Sequence, residues 1–297
     1  MKVFTSPFRN PFINLALEDY FLRERSDLPL LFFYVNRPCV VLGRFQNPWL
    51  ESRLPYLTEN DIWLVRRQSG GGCVYHDEGN LNFSFIVPGP VIDRSTHAQL
   101  LSRAFEKSAV ELSISPRNDL WLKDSQGEWK KISGSAYKQT RDASFHHGTF
   151  LVSSDLNVLE NCLQHTLVPK ESKSIASVRS KVISLQQRFP QMSIQDVIEL
   201  VCCELGTAPV ELDGTYLSLT GVQESFERLR SWDWLWGETP LFEIESLRGP
   251  VKVHKGRFQE SREVFSRSSA VELFTKDNLE MMFPDFSEQR RSSSRIL

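Results

Sequence analysis

The sequence predicts an α+β protein, because segments with strand-like apolar runs form two groups, and segments with helical spacing lie before, between and after them. The chain has 297 residues, of which 40% are hydrophobic and 24% are charged, so it has a globular composition with ample apolar material for a core. At roughly 150 residues per domain, this length corresponds to one large domain, or to a large and a small one.

The N-terminal elements have clear local signals. Residues 14–25 place apolar side chains among charged ones at helical spacing, which predicts the first helix. Residues 30–35 and 39–42 are apolar runs separated by Asn-Arg-Pro, which predicts a strand, a turn and a second strand. Asn47 followed by Pro48 is a typical N-cap and first helical position, so another helix is expected to begin there.

Strands dominate the middle of the chain. Residues 61–67 predict a strand that ends at a glycine-rich stretch, and residues 81–87 alternate as a strand does. Residues 96–112 have apolar side chains near helical spacing and predict a helix. The second group of predicted strands covers residues 119–123, 129–138 and 145–153.

The chain changes character after residue 155. Residues 166–188 carry five basic residues and one acidic residue, a net charge of +4, together with many serines, so we expect a loop there. Residues 193–204 predict a helix that ends at Gly206.

A domain boundary is expected after residue 242, which divides the chain into a large domain of residues 1–242 and a small one of residues 243–297. We interpret the three tryptophans within residues 232–236 as packing between these domains rather than as a platform that stacks nucleic-acid bases. The small domain is predicted to hold a hairpin at residues 251–264, with its turn at Lys255-Gly256, and a helix at residues 270–283.

Charge and cysteine usage argue against several classes of protein. The 35 basic and 37 acidic residues give a formal net charge of −2, so the basic excess of a protein that coats nucleic acid is missing. No apolar stretch is long enough for a transmembrane helix, and residues 1–10 lack a signal-peptide pattern. The five cysteines are irregularly spaced and form no CxxC, which argues against a disulfide framework and a zinc site and favours a reducing compartment.

The most informative motif is the stretch at residues 66–77, which reads Arg-Arg-Gln-Ser-Gly-Gly-Gly-Cys-Val-Tyr-His-Asp. Three consecutive glycines are costly in backbone entropy, so they indicate a close approach to a ligand or a positive φ. We expect Arg66 and Arg67, at the entrance of the loop, to face a bound anion. A flexible turn with two solvated arginines is the alternative. The stretch fits neither the P-loop pattern nor the dinucleotide-binding glycine pattern.

Together with further blocks, this stretch resembles the lipoate–protein ligase family. The blocks are residues 43–49, 67–80, 117–120, 131–137, 146–149 and 177–180, and residues 232–234 with Gly237. The resemblance implies an α+β fold of mixed β-sheets flanked by helices, like the catalytic domain shared by biotin and lipoate ligases and, more distantly, class II aminoacyl-tRNA synthetases. It also implies a small α+β C-terminal accessory domain.

The resemblance implies a reaction in two steps. Lipoate and ATP, with Mg²⁺, give lipoyl-adenylate and pyrophosphate, and the lipoyl group then passes to a lysine of a lipoyl-carrier domain. The implied carriers are E2 subunits of 2-oxoacid dehydrogenase complexes and the glycine-cleavage H protein. We expect a monomer with no nucleic-acid or membrane partner, in the cytoplasm of a bacterium or the mitochondrial matrix of a eukaryote.

The resemblance also assigns the site residues. Lys131 is implied to be catalytic, since it would contact the acyl carbonyl and the phosphate, and a fixed cation there stabilises charge that builds on oxygen. A solvated surface lysine, as we expect for Lys130, is the alternative. The implied lipoate- and ATP-binding residues are Arg67, Ser69, Gly70, Gly71, Gly72, Cys73, Val74, Tyr75, His76, Asn80, Asn118, Lys131, Gly134, Ser135, His147, Gly148, Thr149 and Arg179.

Three of the assignments have alternatives. Asp119 is the candidate for Mg²⁺, because this ion needs few carboxylates and keeps its waters, and the alternative is a turn-capping aspartate. His146 and His147 must point to opposite sides of a strand, so one is expected to line the pocket and the other to be structural. Arg179 and Lys181 are expected phosphate contacts in a loop that orders over the adenylate, and a solvated linker is the alternative.

Three other functions stay open. Octanoyl- and lipoyl-transferases of this fold use a cysteine thioester and no ATP, but the strands around Lys131 contain no cysteine, and we interpret Cys73 as a small loop residue. Residues 243–297 form a shorter segment than the accessory domain that is usual in the family. The second alternative is therefore a lipoyltransferase that accepts ready-made lipoyl-adenylate. The third is a non-catalytic lipoate-binding relative, which the presence of both Arg67 and Lys131 argues against.

Overall fold

The computed structural model describes residues 1–24, 26–164, 171–246 and 249–258. The helices in these ranges are α1 (Pro11–Glu24), α2 (Pro48–Glu51), α3 (Leu54–Glu59), α4 (Arg94–Glu106), α5 (Leu156–Cys162), α6 (Ile194–Leu205), α7 (Thr220–Arg230) and α8 (Trp232–Leu235), with 3₁₀ turns at Leu185–Gln187 and Gly214–Ser218. The strands are β1 (Lys2–Thr5), β2 (Leu30–Val35), β3 (Cys39–Leu42), β4 (Trp63–Arg66), β5 (Val74–His76), β6 (Asn80–Pro88), β7 (Ser113–Ile114), β8 (Leu120–Lys123), β9 (Trp129–Ser133), β10 (Ser135–Gln139), β11 (Ala143–Leu151), β12 (Glu171–Ser172), β13 (Val210–Glu211), β14 (Phe242–Ser246), β15 (Gly249–His254) and β16 (Arg257–Phe258).

A six-stranded mixed sheet with the order β10-β11-β6-β2-β1-β13 forms the centre of the fold. β10, β11, β6 and β2 pair antiparallel, whereas β1 runs parallel to both of its neighbours. Every residue of β2 is buried, because helices cover both faces of the sheet. The odd-numbered residues of β2 join one core with α4 and α6, and the even-numbered residues join a second core with α1 and α7.

Three smaller sheets surround the central one. The sheet β4-β3-β5 carries the glycine-rich stretch between its strands β4 and β5, and the sheet β7-β8-β9 carries Lys131. The sheet β12-β14-β15-β16 joins residues 171–172 to residues 242–258 through the antiparallel pairing of β12 with β14. Trp49, Trp236, Phe242 and Val253 lie together in a third core.

Most predicted elements are confirmed, although several ends differ. β2 and β3 have the predicted bounds, α6 ends at Gly206 with a φ of 64°, and Lys255-Gly256 separate β15 from β16. α1 begins at Pro11 instead of residue 14, because the Asn10 side chain accepts a hydrogen bond from the Phe12 backbone and so caps the helix earlier.

Two predicted elements are corrected. The helix predicted at residues 96–112 ends at Glu106, because Ala109 takes the left-handed conformation with a φ of 55°. The strand predicted at residues 129–138 is two strands, β9 and β10, which separate at Gly134. The helix predicted at residues 270–283, and residues 259–264 of the predicted hairpin, lie outside the described residues. No helix in the described ranges has both the length and the hydrophobicity of a membrane span.

Candidate active site

Two buried arginines hold the glycine loop, residues 67–73, in place. Arg66 donates hydrogen bonds to the backbone carbonyls of residues 43, 44, 46 and 235 and to the Thr239 hydroxyl. Arg67 Nε donates to Ser69 Oγ at 2.9 Å, and its terminal nitrogens donate to the carbonyls of residues 41, 70 and 72. Burial lowers the pKa of both guanidinium groups to about 10, so both remain charged at neutral pH.

The expectation that both arginines face a bound anion is wrong for Arg66, whose guanidinium points into the protein. Arg67 does line a cavity, but its donors are bonded to the loop itself and to the Val41 carbonyl. The alternative of a flexible turn with solvated arginines is also wrong, because Arg66 and Arg67 are 0% and 5% exposed. A buried cation needs hydrogen-bond acceptors, and the carbonyls of the loop and its neighbours supply them.

The backbone requires glycine at one position in the loop, Gly71, and at one position beside it, Gly43. Gly71 has a φ of 89°, and a Cβ there would stand 3.0 Å from a terminal nitrogen of Arg67. A Cβ on Gly43 would stand 2.1 Å from the Gly71 carbonyl oxygen. The predicted positive φ is therefore confirmed at Gly71, and the close approach is to another backbone segment of the same site.

Two cavities meet at the glycine loop. The first, of about 740 Å³, extends over the glycine loop, β10 and β11 to Leu15, Tyr34 and Val41. The second, of about 680 Å³, extends to α5 and to Tyr75, Arg179 and Lys181. The residues that line both cavities are Cys73, Val74, Lys131, Gly134, Thr149, Ser177 and Val178. A molecule that occupied both cavities would therefore pass Lys131.

Lys131 lies on β9 and reaches the junction of the two cavities. Its Nζ donates to Asp119 Oδ2 at 2.9 Å, and the side chain is 21% exposed, so its ammonium is partly dry and still accessible. A Cβ on Gly134 would stand 3.1 Å from Lys131 Cε. Glycine directly after β9 therefore leaves room for the lysine side chain. Lys130, the preceding residue, pairs instead with Asp124 at 2.6 Å, so it is not the solvated charge that we expected.

Asp119 is the carboxylate nearest to the Lys131 ammonium. Its Oδ1 accepts a hydrogen bond from the Ser135 backbone at 3.3 Å, so it ties the β7-β8-β9 sheet to the start of β10. Asp119 lines the first cavity, where its carboxylate would suit a cation that carries its own waters. The described ranges contain no group of three or more His, Cys, Asp or Glu side chains arranged to hold a metal ion.

The neighbouring histidines of β11 face opposite sides, as strand geometry requires. His147 lines the first cavity, with its Nδ1 2.9 Å from Glu18 Oε1 and its Nε2 2.7 Å from Ser69 Oγ. His146 stacks on His97 in the core on the other face, and burial lowers its pKa to about 3. The interpretation of one pocket histidine and one structural histidine thus agrees with their positions.

A covering segment, residues 175–182, lies across the junction of the cavities. Ser177 holds it, since its hydroxyl donates to Glu51, accepts from Gln46 Nε2 at 2.9 Å and accepts from the Cys73 backbone at 2.9 Å. The far end is held where the Lys131 backbone donates to the Lys181 carbonyl at 3.0 Å. The solvated-linker alternative is therefore wrong for Ser177, although Arg179 is exposed and donates to the Leu163 carbonyl.

Most of the residues assigned by resemblance lie together around these cavities. Those that line at least one cavity are Arg67, Gly70, Gly71, Gly72, Cys73, Val74, Tyr75, His76, Lys131, Gly134, Ser135, His147, Gly148, Thr149 and Arg179, with Asp119. Ser69 is buried behind the loop, Asn80 donates to Asn82 Oδ1 in β6, and Asn118 occupies a turn with a φ of 63°. These three are not among the described residues that line either cavity.

Several cavity residues were missing from the sequence-based assignment. Tyr34, Asn82 and Arg94 line the first cavity, and Glu51 lines the second. Each lies on a separate element of the fold, and no local pattern distinguishes it from an ordinary strand or helix residue. Only the pairing of β2 with β6 and the packing of the helices bring them to the site.

The cysteine at the junction is not activated. Burial raises the pKa of the Cys73 thiol well above its ordinary value, and it raises the pKa of Cys162 to about 12. Both thiols are therefore protonated at neutral pH, whereas the thiolate is the nucleophilic form. This environment argues against a thioester route through either residue.

Comparison with known proteins identifies relatives over most of the chain. The family model described as the lipoyl protein ligase A/B catalytic domain matches residues 10–206. A protein of Psychrobacter cryohalolentis named lipoate-protein ligase A is 35% identical over 255 residues, which cover 82% of this chain and 74% of that protein.

Solved structures show the same fold. The Plasmodium falciparum protein LipL1, solved in complex with lipoate, is 25% identical with a TM-score of 0.70 and covers 86% of this chain and 82% of its own. A lipoate-protein ligase A bound with ATP is 25% identical with a TM-score of 0.63, covering 79% of this chain and 98% of its own. A bipartite lipoate protein ligase from Thermoplasma acidophilum, described with its E2 lipoyl domain, is 24% identical with a TM-score of 0.64, covering 79% of this chain and 96% of its own.

Proposed function

The chain belongs to the lipoyl protein ligase A/B catalytic-domain family and is an ATP-dependent lipoate–protein ligase, and we propose how its residues divide the reaction. The observation that carries the proposal is the position of Lys131, whose ammonium stands where the two cavities meet. A reaction that joins two substrates needs its stabilising charge at such a junction.

In the proposal, the first cavity takes lipoate and the second takes the nucleotide. The far end of the first cavity is lined by Leu15, Tyr34 and Val41, which suit an apolar acyl chain. The second cavity has Arg179 and Lys181 beside apolar residues of α5, which suits a phosphate attached to a flat base. The glycine loop would contact both ligands, because its residue Cys73 lines both cavities.

Lys131 serves both steps in this proposal. In the first step a carboxylate oxygen of lipoate attacks the α-phosphorus of ATP, and pyrophosphate leaves. In the second step the neutral amine of a carrier lysine attacks the acyl carbon, and AMP leaves. Negative charge builds on oxygen in each transition state, and one well-placed donor in a partly dry site stabilises it by ~3 kcal/mol.

Mg²⁺ is part of the proposal, with Asp119 as the residue that would hold it. Mg²⁺ commonly keeps several waters and takes one or two carboxylates beside substrate phosphates. Asp119 lines the first cavity next to Lys131, which lines both cavities, so an ion held by Asp119 would be close to the nucleotide at the junction. When bound, the ion would neutralise phosphate charge. Asp119 itself keeps Lys131 oriented, through the 2.9 Å bond to Nζ.

The covering segment is proposed to exclude water from the activated acyl group. Ser177 and Val178 lie over the junction where the adenylate would form. Premature hydrolysis of the mixed anhydride would waste ATP, so closure at this point is useful for a two-step ligase.

The proposed acceptors are lipoyl-carrier domains of 2-oxoacid dehydrogenase E2 subunits and the glycine-cleavage H protein. The Thermoplasma relative is described with an E2 lipoyl domain, which supports the first of these.

A cytoplasmic location is proposed because a 35% identical relative is bacterial. Residues 1–242 are proposed to form the catalytic domain, with residues 243–297 in an accessory domain.

Pyrophosphate release tests the first step, and a mass increase of a carrier domain tests the second. Purified protein with lipoate, ATP and Mg²⁺ should release pyrophosphate, and a lipoyl-carrier domain should then gain one lipoyl group. Transfer from added lipoyl-adenylate without pyrophosphate release would contradict the adenylation step alone. Transfer from an acylated carrier with no nucleotide present would contradict the ligase mechanism.

A further inference from the structure

A buried hydrogen-bond network joins helix α1 to the glycine loop. Its members are Glu18, His147, Ser69 and Arg67, which are 2%, 6%, 1% and 5% exposed. Glu18 Oε1 lies 2.9 Å from His147 Nδ1, His147 Nε2 lies 2.7 Å from Ser69 Oγ, and Arg67 Nε lies 2.9 Å from the same Oγ. We call these four residues the buried network.

The direction of each hydrogen bond in the buried network follows from the donors present. Arg67 Nε can only donate, so Ser69 Oγ accepts there and has one hydrogen of its own to give. His147 Nε2 is the other partner of this hydroxyl among the described residues, so it accepts that hydrogen. The ring hydrogen of His147 then lies on Nδ1 and is donated to Glu18.

The geometry resembles that of a nucleophilic Ser-His-Glu triad, but Ser69 cannot act as one. Its hydroxyl is buried behind the loop and is not among the described residues that line either cavity. Its oxygen also accepts from a guanidinium, which lowers its nucleophilicity. The buried network therefore serves the shape of the loop.

We infer that Glu18 is a positioning residue for the lipoate-binding side of the site, which it serves without contact to substrate. It fixes the Nδ1–H tautomer of His147, so that Ser69 is held ready to accept from Arg67 Nε. The same guanidinium holds the carbonyls of Gly70 and Gly72 at 2.7 Å each, and so determines the course of the loop. This inference rests on the proposed assignment of the first cavity to lipoate.

The isosteric variant Glu18→Gln tests the inference. A glutamine amide offers Nδ1 both an acceptor and a donor, so the ring hydrogen of His147 is no longer confined to Nδ1, and in the form with hydrogen on Nε2 the Ser69 hydroxyl hydrogen loses its acceptor. The KM for lipoate should then rise on the order of 10-fold, because a buried polar group loses its partner, while the KM for ATP stays within about twofold. A purely structural loss would reduce the amount of active protein and leave both KM values unchanged.

The tautomer is measured separately from the reaction. In protein labelled with ¹⁵N-histidine, the ring nitrogens of His147, identified by their loss in His147→Gln, should report hydrogen on Nδ1 in the wild type and a substantial fraction of hydrogen on Nε2 in Glu18→Gln. Glu24→Gln, on an exposed position of the same helix, is the matched control and should change neither the tautomer nor either KM.

Several results would overturn the inference. One is an unchanged His147 tautomer in Glu18→Gln, and another is a changed tautomer with an unchanged KM for lipoate. A lipoyl ester trapped on Ser69 would also overturn it, since the residue would then be a nucleophile. If Glu18→Gln does not fold, Ser69→Ala must raise the KM for lipoate alone. Failure of the proposed function would appear instead as wild-type protein without ligase activity, while the tautomer measurement stands.

Discussion

The glycine loop and the covering segment enclose the same junction, but they are held by different means. The loop is fixed from behind by two buried guanidinium groups, whose donors are bonded to carbonyls of the loop and of the segments around it. The covering segment is held at Ser177 and near Val182, and Ile175 and Val178, which lie on either side of Ser177 in the chain, are 49% and 66% exposed. The glycine loop, the fixed wall of the junction, is therefore part of the folded core. The covering segment, the other wall, is mostly surface.

This difference suggests a division between recognition and access. Reshaping the loop would break charged, buried hydrogen bonds, which are costly to leave unmade. Displacing the covering segment would break a few bonds at Ser177 and expose little additional apolar surface. The loop is thus suited to define the substrates, and the covering segment is suited to open for a carrier domain and to close against water.

Lys131, which lies at the junction that both walls enclose, should show the largest effect when it is replaced. Lys131→Ala should reduce lipoyl transfer by on the order of 100-fold or more, because a fixed cation at the reacting oxygen is lost. The matched control is Lys123→Ala, an exposed lysine of the neighbouring strand β8 that lines neither cavity, and this variant should retain most of the rate. Transfer is measured as the mass increase of a carrier domain. A Lys131→Ala protein that is folded and transfers at a near wild-type rate would contradict the site assignment.

A substitution in the glycine loop, the fixed wall, should have the next largest effect. Gly71→Val places a β-branched residue at a φ of 89° and brings its Cβ against Arg67, and such strain costs about 1–3 kcal/mol. If the loop relieves the strain by moving, lipoate affinity measured by calorimetry should fall roughly 10-fold. Gly214→Val is the control, because a Cβ at that position meets open space. Unchanged affinity in Gly71→Val would show that the loop does not shape the lipoate site.

The same comparison shows what could be predicted from the sequence. β2 and β3 were predictable because their apolar runs are continuous, and the positive φ at Gly71 followed from three adjacent glycines. The direction of Arg66 was not predictable, because its acceptors include the carbonyl of Leu235, 169 positions away. The bond between Glu18 and His147 joins residues 129 positions apart, so only the packing of α1 against β11 reveals it.

A change in the covering segment should have a smaller and different effect. Ser177→Ala removes the hydroxyl that binds Glu51, Gln46 and the Cys73 backbone, so it should loosen closure over the adenylate. At ~1 kcal/mol for a hydrogen bond, AMP release without a carrier should rise about fivefold, while lipoate affinity stays unchanged. The measurement is AMP formed from ATP and lipoate alone, with Ser174→Ala as the control, because Ser174 directly precedes the covering segment and lines neither cavity. A loss of lipoate affinity instead would mean that the two walls are not separable.

Replacement of all five cysteines by serine or alanine should have the smallest effect on activity, and it tests whether either wall supplies a nucleophile. Cys73 lies in the fixed wall, yet burial holds its pKa well above the ordinary value, and Arg67 opposes this rise only in part. Lipoylation per folded protein should therefore persist in the variant, and iodoacetamide at neutral pH should not inactivate the wild type. Cys39 and Cys202 are buried, so the variant should lose stability by roughly 1 kcal/mol for each, which a denaturation midpoint would register. A lipoyl thioester found by mass spectrometry, and lost on mutation of one cysteine, would instead make the junction a thiol site. In that case Lys131 would stabilise a thioester exchange, and ATP would be unnecessary.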